Sequence, residues 1–79
     1  MPNLDAIERI LEEIRPEFDF SASEDFINDG MLDSFDVVTL VAEFEAAYSI
    51  SIEGIDIIPE NFQNIAAIRN LLKKCGVRA

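Results

Sequence analysis

The sequence predicts a small all-α protein, and three of its features support that class. Apolar residues recur three or four positions apart within 4–14, 37–48 and 65–75, which is the spacing of helices that bury one face. The alternating segment 49–52 has no second strand to pair with, so it does not predict a sheet. The length of 79 residues is that of one domain. We therefore expect a single domain over 1–79, an up-down bundle of three main helices plus one short helix, with a long ordered loop between helices one and two.

The first helix is predicted to end shortly after Arg15, because Pro16 cannot continue a helix. Its apolar positions are Leu4, Ile7, Ile10, Leu11 and Ile14. Residues 17–32 then form a connection that is too apolar to be disordered. The side chains that we expect to pack over the bundle are Phe18, Phe20, Phe26, Ile27 and Leu32.

The second helix is predicted to begin at a capping box. Asp33 has the position of the N-cap, and Asp36 follows three residues later. Gly30 is expected to take a positive φ just before this start. Ser34 then occupies the first helical position, with its hydroxyl pointing outward beside free backbone N–H groups at the positive end of the helix dipole. Carboxylates surround Ser34 in the sequence and no basic residue is nearby, which favours a modification site over a catalytic one.

The second helix has two apolar faces. One narrow arc predicts the buried face and consists of Val37, Leu40, Val41, Phe44 and Tyr48. A second stripe lies more than about 90° away from this arc, which indicates a docking surface. This outward stripe consists of Phe35, Val38, Ala42 and Ala46. The alternative is that the short segment 54–58 covers Phe35 or Val38.

The last third of the chain predicts an extended loop, one short helical turn before Pro59, and a closing helix. Asn64 is a suitable N-cap for that helix, and Gly76 a suitable residue to end it. The inner face is expected to consist of Ile65, Ile68, Leu71, Leu72 and Cys75. Cys75 is thus predicted to be a packing residue, not a reactive thiol.

The charge distribution limits the possible partners. The net charge is −10, and residues 17–68 contain twelve acids and no base. This surface repels nucleic acid and anionic membranes and favours encounter with a basic partner. No apolar run is long enough to span a membrane, and the first residues lack the features of a signal peptide, so we expect a cytoplasmic protein. One cysteine and no histidine leave a zinc site without its usual ligands, and no metal site is expected.

In the order of these features, the chain resembles the acyl and peptidyl carrier proteins over nearly its whole length. Their signature is an Asp-Ser-Leu triplet at the start of the second helix, with 4′-phosphopantetheine on the serine; here the triplet is Asp33-Ser34-Phe35. Ile50-x-Ile52 and the segment 59–62 also match. The resemblance implies that Ser34 bears the arm and that Asp33 caps and orients. It also implies a recognition face of Phe35, Val38 and Ala42, with Asp36 and Glu45 at its edges.

The resemblance further implies a monomeric stand-alone carrier that works with other enzymes. These are a phosphopantetheinyl transferase, an acyl or aminoacyl ligase, and downstream transferases with basic docking surfaces. Gly30 four residues before the serine, together with Glu-Asn-Phe at 60–62, is more similar to D-alanyl and other aminoacyl or small-acyl carriers than to fatty-acid carriers. The cargo stays open among these groups.

Three other classes of function are alternatives to a carrier: an enzyme, an adapter and a calcium module. The chain has no histidine and no G-x-S-x-G motif, so we do not expect an enzyme. A carrier-like adapter that binds proteins without being modified stays open, although Asp33 and Ser34 together favour a working carrier. A calcium module is suggested by residues at positions one, five, six and twelve of an EF-hand-like loop: Asp25, Asp29, Gly30 and Asp36. Ile27 at the third position and Pro16 before the loop argue against it.

Overall fold

Three α-helices and no β-strand are present in residues 6–77, the part of the chain that the computed structural model describes. The helices are α1 (Ala6–Ile14), α2 (Ser34–Tyr48) and α3 (Ile65–Lys74). Short 3₁₀ turns cover Phe20–Ala22, Gly54–Asp56 and Pro59–Asn61. The predicted all-α class is thus confirmed for these residues, while Leu4 of the predicted first helix lies outside them. Within the same range, no helix has the length and apolar character needed to cross a lipid bilayer.

α1 lies at the centre of the helix packing. It contacts both α2 and α3, and its buried side chains Ile7, Ile10 and Leu11 are three of the residues that the sequence assigned to its inner face. The helix ends at Ile14, one residue before Arg15 and two before Pro16. The chain is compact, with a Cα radius of gyration of 11.3 Å.

The connection between α1 and α2 is fastened to the core by its aromatic residues. The Phe20 and Phe26 rings are buried and meet edge to face, with centroids 5.0 Å apart. The Phe26 backbone N–H donates to the Gln63 carbonyl at 2.6 Å, and the Asn64 side chain donates to the Glu24 carbonyl at 3.2 Å. These bonds tie the loop to the start of α3.

The buried arc of α2 is the one that the sequence predicted. All five of its members are at most 9% exposed: Val37, Leu40, Val41, Phe44 and Tyr48. Gly30 has φ +74, as predicted for the approach to this helix. Met31, next to it, is also buried, although its isolated position in the loop had not marked it as a core residue.

α3 begins and ends where the sequence predicted. The Asn64 side-chain oxygen accepts from the Ala67 backbone N–H at 2.8 Å, which is the bond of an N-cap. Ile68, Leu71 and Leu72 are buried. Cys75 is the C-cap and is half-buried against the core, and burial raises the pKa of its thiol.

The segment between α2 and α3 is held at both ends. Ser49 closes α2 in the left-handed conformation with φ 55, and the chain then continues without regular secondary structure to Ile52, which is buried. The Glu45 carboxylate accepts from the Ile52 backbone N–H at 2.9 Å. At the other end, the Lys74 ammonium lies 2.8 Å from the Asp56 carboxylate. The segment is therefore fixed to both neighbouring helices.

Candidate functional site

The start of α2 is a complete capping box. The Asp33 carboxylate accepts from the Asp36 backbone N–H at 2.9 Å, and the Asp36 carboxylate accepts from the Asp33 backbone N–H at 3.1 Å. Asp33 itself has an extended backbone, as an N-cap requires. The predicted cap is confirmed, and it makes Ser34 the first helical residue.

Ser34 is exposed at this helix start. Its neighbour Asp33 has a side chain that is 64% exposed, so an enzyme can approach the hydroxyl from solvent. α2 is 15 residues long, and the positive end of its dipole favours an anionic group at Ser34, although the capping box already occupies the backbone N–H groups of Asp33 and Asp36. An exposed hydroxyl in this setting fits a phosphodiester-linked arm such as 4′-phosphopantetheine.

The sequence has no basic residue next to Ser34, but the structure brings Arg15 to the carboxylates of the capping box. The Arg15 Nε and Nη2 atoms lie 3.0 Å and 2.9 Å from one Asp36 carboxylate oxygen. Nη2 is also 3.7 Å from the Asp33 carboxylate, and Nη1 is 3.3 Å from Glu17. α1 ends beside the start of α2, and the long Arg15 side chain bridges the two helices.

These contacts stabilise the ionised form of Asp33 and the protonated form of Arg15. The hydrogen bond from the Asp36 backbone N–H holds the pKa of Asp33 below its ordinary value, and the Arg15 charge acts in the same direction. The hydrogen bond to Asp36 is the main cause that raises the pKa of Arg15. Asp33 and Arg15 are not strong bases at neutral pH, so neither of them activates the Ser34 hydroxyl as a nucleophile.

The outward stripe of α2 lies at the surface. Phe35 is 82% exposed and Val38 is 64% exposed, and Ala42 and Ala46 are exposed as well. The alternative that the segment 54–58 covers Phe35 or Val38 is therefore not what the structure shows. That segment adds apolar surface of its own, because Ile55 is 79% exposed.

The two carboxylates predicted at the edges of the recognition face make contacts within the chain. Asp36 is only 8% exposed and is bound to Arg15 and to the Asp33 backbone. Glu45 is half-buried and is bound to the Ile52 backbone N–H. Of the predicted face, Phe35, Val38 and Ala42 therefore lie at the surface. Asp36 and Glu45 instead make contacts within the chain.

The residues of the EF-hand-like spacing are not brought together as ligands. The Asp25 carboxylate accepts from the Asn28 backbone N–H at 3.0 Å, the Asp29 carboxylate accepts from the Ser23 hydroxyl, and Asp36 is paired with Arg15. In the described part of the chain, no three histidine, cysteine, aspartate or glutamate side chains form a group that could hold a metal ion.

No protein-family model matches the chain, and comparisons with curated proteins and with solved structures find no significant match.

Proposed function

We propose that this protein is a stand-alone acyl carrier protein that bears a 4′-phosphopantetheine arm on Ser34. The observation that carries the proposal is the exposed Ser34 at the first position of α2, directly after Asp33 in a complete capping box. The exposed Phe35 and Val38 beside it supply a surface that an enzyme can bind. The up-down arrangement of the helices, with an ordered loop between α1 and α2, belongs to the same proposal.

In the modification step, the Ser34 hydroxyl oxygen forms a bond to the phosphorus of coenzyme A that bears the pantetheine. The bond from that phosphorus to the nucleotide breaks, 3′,5′-ADP leaves, and the hydroxyl proton passes to a base of the transferase. Asp33 holds the helix start at which this oxygen is presented. The bound arm supplies a terminal thiol that carries an acyl or aminoacyl group as a thioester.

The remaining chemistry belongs to partner enzymes in this proposal, and the chain itself is not an enzyme. A phosphopantetheinyl transferase modifies it, an acyl or aminoacyl ligase loads it, and downstream transferases receive the cargo. The net charge of −10 favours partners with basic docking surfaces, and the exposed Phe35, Val38 and Ala42 favour an apolar centre within them. We propose the cytoplasm as the location and a monomer as the working state.

Modification of the purified chain tests the proposal. Incubation with coenzyme A and a broad-specificity transferase is expected to add the mass of one phosphopantetheine, as measured on the intact protein. Ser34→Ala should gain none, whereas Ser51→Ala, which alters another exposed serine, should gain the full mass. An unmodified wild-type chain beside a modified control carrier would contradict the proposal and favour the adapter, whose docking stripe needs no modification.

A further inference from the structure

Three donors converge on a single oxygen of Asp36. Two are the Arg15 Nε and Nη2 atoms, at 3.0 Å and 2.9 Å, and the third is the Asp33 backbone N–H, at 3.1 Å. Arg15 follows the last residue of α1, whereas Asp33 and Asp36 flank Ser34 at the start of α2. The guanidinium therefore links the end of one helix to the residues on both sides of the serine.

The Asp36 carboxylate of the Arg15–Asp36 pair is largely shielded from solvent. The Asp36 side chain is 12% exposed and the Arg15 side chain is 35% exposed. Loss of Arg15 would leave a nearly buried carboxylate with the backbone N–H of Asp33 as its remaining donor, and such a carboxylate turns toward water to regain hydrogen bonds. This movement weakens its bond to Asp33 and loosens the capping box around Ser34.

We propose that Arg15 is a positioning residue for the modification of Ser34, an inference that rests on the proposed carrier function. Through Asp36 it fixes the first turn of α2 in the orientation that presents the Ser34 hydroxyl. Its charge also offsets the carboxylates of Asp33 and Asp36, which would otherwise repel the anionic coenzyme A. We expect the orientation of Ser34 to affect the kcat of the transferase, and the charge of Arg15 to affect its KM for coenzyme A.

The chain contains a second ion pair that serves as a control, although its cation is more exposed, at 64% for Lys74 compared with 35% for Arg15. Lys74 and Asp56 lie 2.8 Å apart, and the Asp56 side chain is 14% exposed, close to the value for Asp36. This pair also ties the end of a helix to a distant segment, 18 positions away compared with 21 for Arg15 and Asp36. It includes no residue of the first turn of α2. Lys74→Gln therefore reports the effect of losing an ion pair elsewhere.

The test compares wild type, Arg15→Gln, Arg15→Lys and Lys74→Gln. Rates of mass gain are measured over a range of coenzyme A concentrations, below the melting temperature of every variant. We expect Arg15→Gln to lower kcat/KM by about tenfold and Lys74→Gln to match wild type. Arg15→Lys keeps the charge but has one nitrogen in place of the two-donor fork, so its KM should stay near wild type while kcat recovers only in part.

Each outcome has a separate meaning. If Arg15→Gln and Lys74→Gln have the same kcat/KM, Arg15 does not position Ser34 and this inference is overturned while the carrier function stands. If wild type gains no mass, both proposals fail together. Should Arg15→Gln not fold, Arg15→Lys decides through its kcat: a full wild-type value would overturn the positioning role. Asp36→Asn added to either Arg15 variant should change kcat little further, because Arg15 acts through that carboxylate.

Discussion

The inner and outer faces of α2 are both apolar, but only the inner face is covered. Phe44 and Leu40 are fully buried against the core, whereas Phe35 and Val38 lie largely in solvent on the same helix. Similar side chains thus serve different purposes according to their angle around one axis. The inner face holds the fold together, and the outer face is free to bind a partner.

Hydrophobicity alone does not identify the core of so small a domain. A chain of 79 residues buries only about 60% of the surface that its unfolded form exposes, so each covered side chain is a large share of its stability. The outward apolar residues of α2 contribute little to that stability. In the proposed carrier function they form the docking surface, and variants on the two faces should separate the two roles.

The largest effect is expected from Phe44→Ala on the inner face. Removal of this fully buried ring leaves a cavity between the helices, and the free energy of unfolding should fall by about 3–5 kcal/mol. Thermal or urea melts followed by circular dichroism measure the change. A loss below about 1 kcal/mol would mean that the inner face is not the main source of stability.

A smaller loss of stability is expected from Asp36→Ala. This variant tests whether burial, and not apolar character, determines how much a residue of α2 contributes to stability. Asp36 is polar but is nearly as buried as the core and accepts from both Arg15 and Asp33. Loss of these bonds should lower the free energy of unfolding by about 1.5–3 kcal/mol. Glu43→Ala, at an exposed position of the same helix, is the control and should be close to neutral. Equal melting temperatures for the two variants would contradict the structural role of Asp36.

Acid pH should weaken the start of α2 through Asp33. Its pKa is lowered in the folded protein, chiefly by the bond from the Asp36 backbone N–H, so the unfolded chain binds this proton more readily. The stabilising contribution is complete above the ordinary aspartate range and is lost as the pH falls through the folded pKa. Melting temperatures of wild type and Asp33→Asn should converge over that window, because the asparagine cap does not titrate. A difference that stays constant with pH would contradict the lowered pKa.

The smallest effect on stability is expected from Phe35→Ala on the outer face. The ring is 82% exposed, so the free energy of unfolding should change by less than about 0.5 kcal/mol. The rate of Ser34 modification or of ligase loading should nevertheless fall, and Val38→Ala should behave in the same way. Single-turnover transfer rates and melts on the same samples measure both effects. If Phe35→Ala unfolds the domain as Phe44→Ala does, the outer stripe is core and the docking role is wrong.

Features with a local physical cause could be predicted from the sequence. The buried arc of α2 follows from helical spacing, the caps at Asp33 and Asn64 follow from side-chain chemistry, and the positive φ of Gly30 follows from its place before a helix. Each depends on neighbours within one or two turns. The position of Ser34 at the helix start followed from the same short-range reasoning.

Contacts between distant positions could not be predicted in this way. Arg15 reaches Asp36 because α1 ends beside the start of α2, and no spacing in the sequence encodes that approach. The bond from Ile52 to Glu45 depends on the turn at Ser49, whose left-handed conformation is uncommon for a serine. The sequence therefore placed Asp36 and Glu45 at the edges of the recognition face, although both accept hydrogen bonds from other parts of the chain.

The hydrogen bond between Arg15 and Asp36 also joins two residues that are 21 positions apart, and so closes a ring of the chain. The loop 17–32 lies within this ring, and the Phe26 backbone bonds the loop to the start of α3. We therefore expect opening of the loop to loosen the first turn of α2, and the reverse. We expect their amide hydrogens to exchange with solvent as one cooperative unit. Ser34 is then only as mobile as the aromatic loop that precedes it.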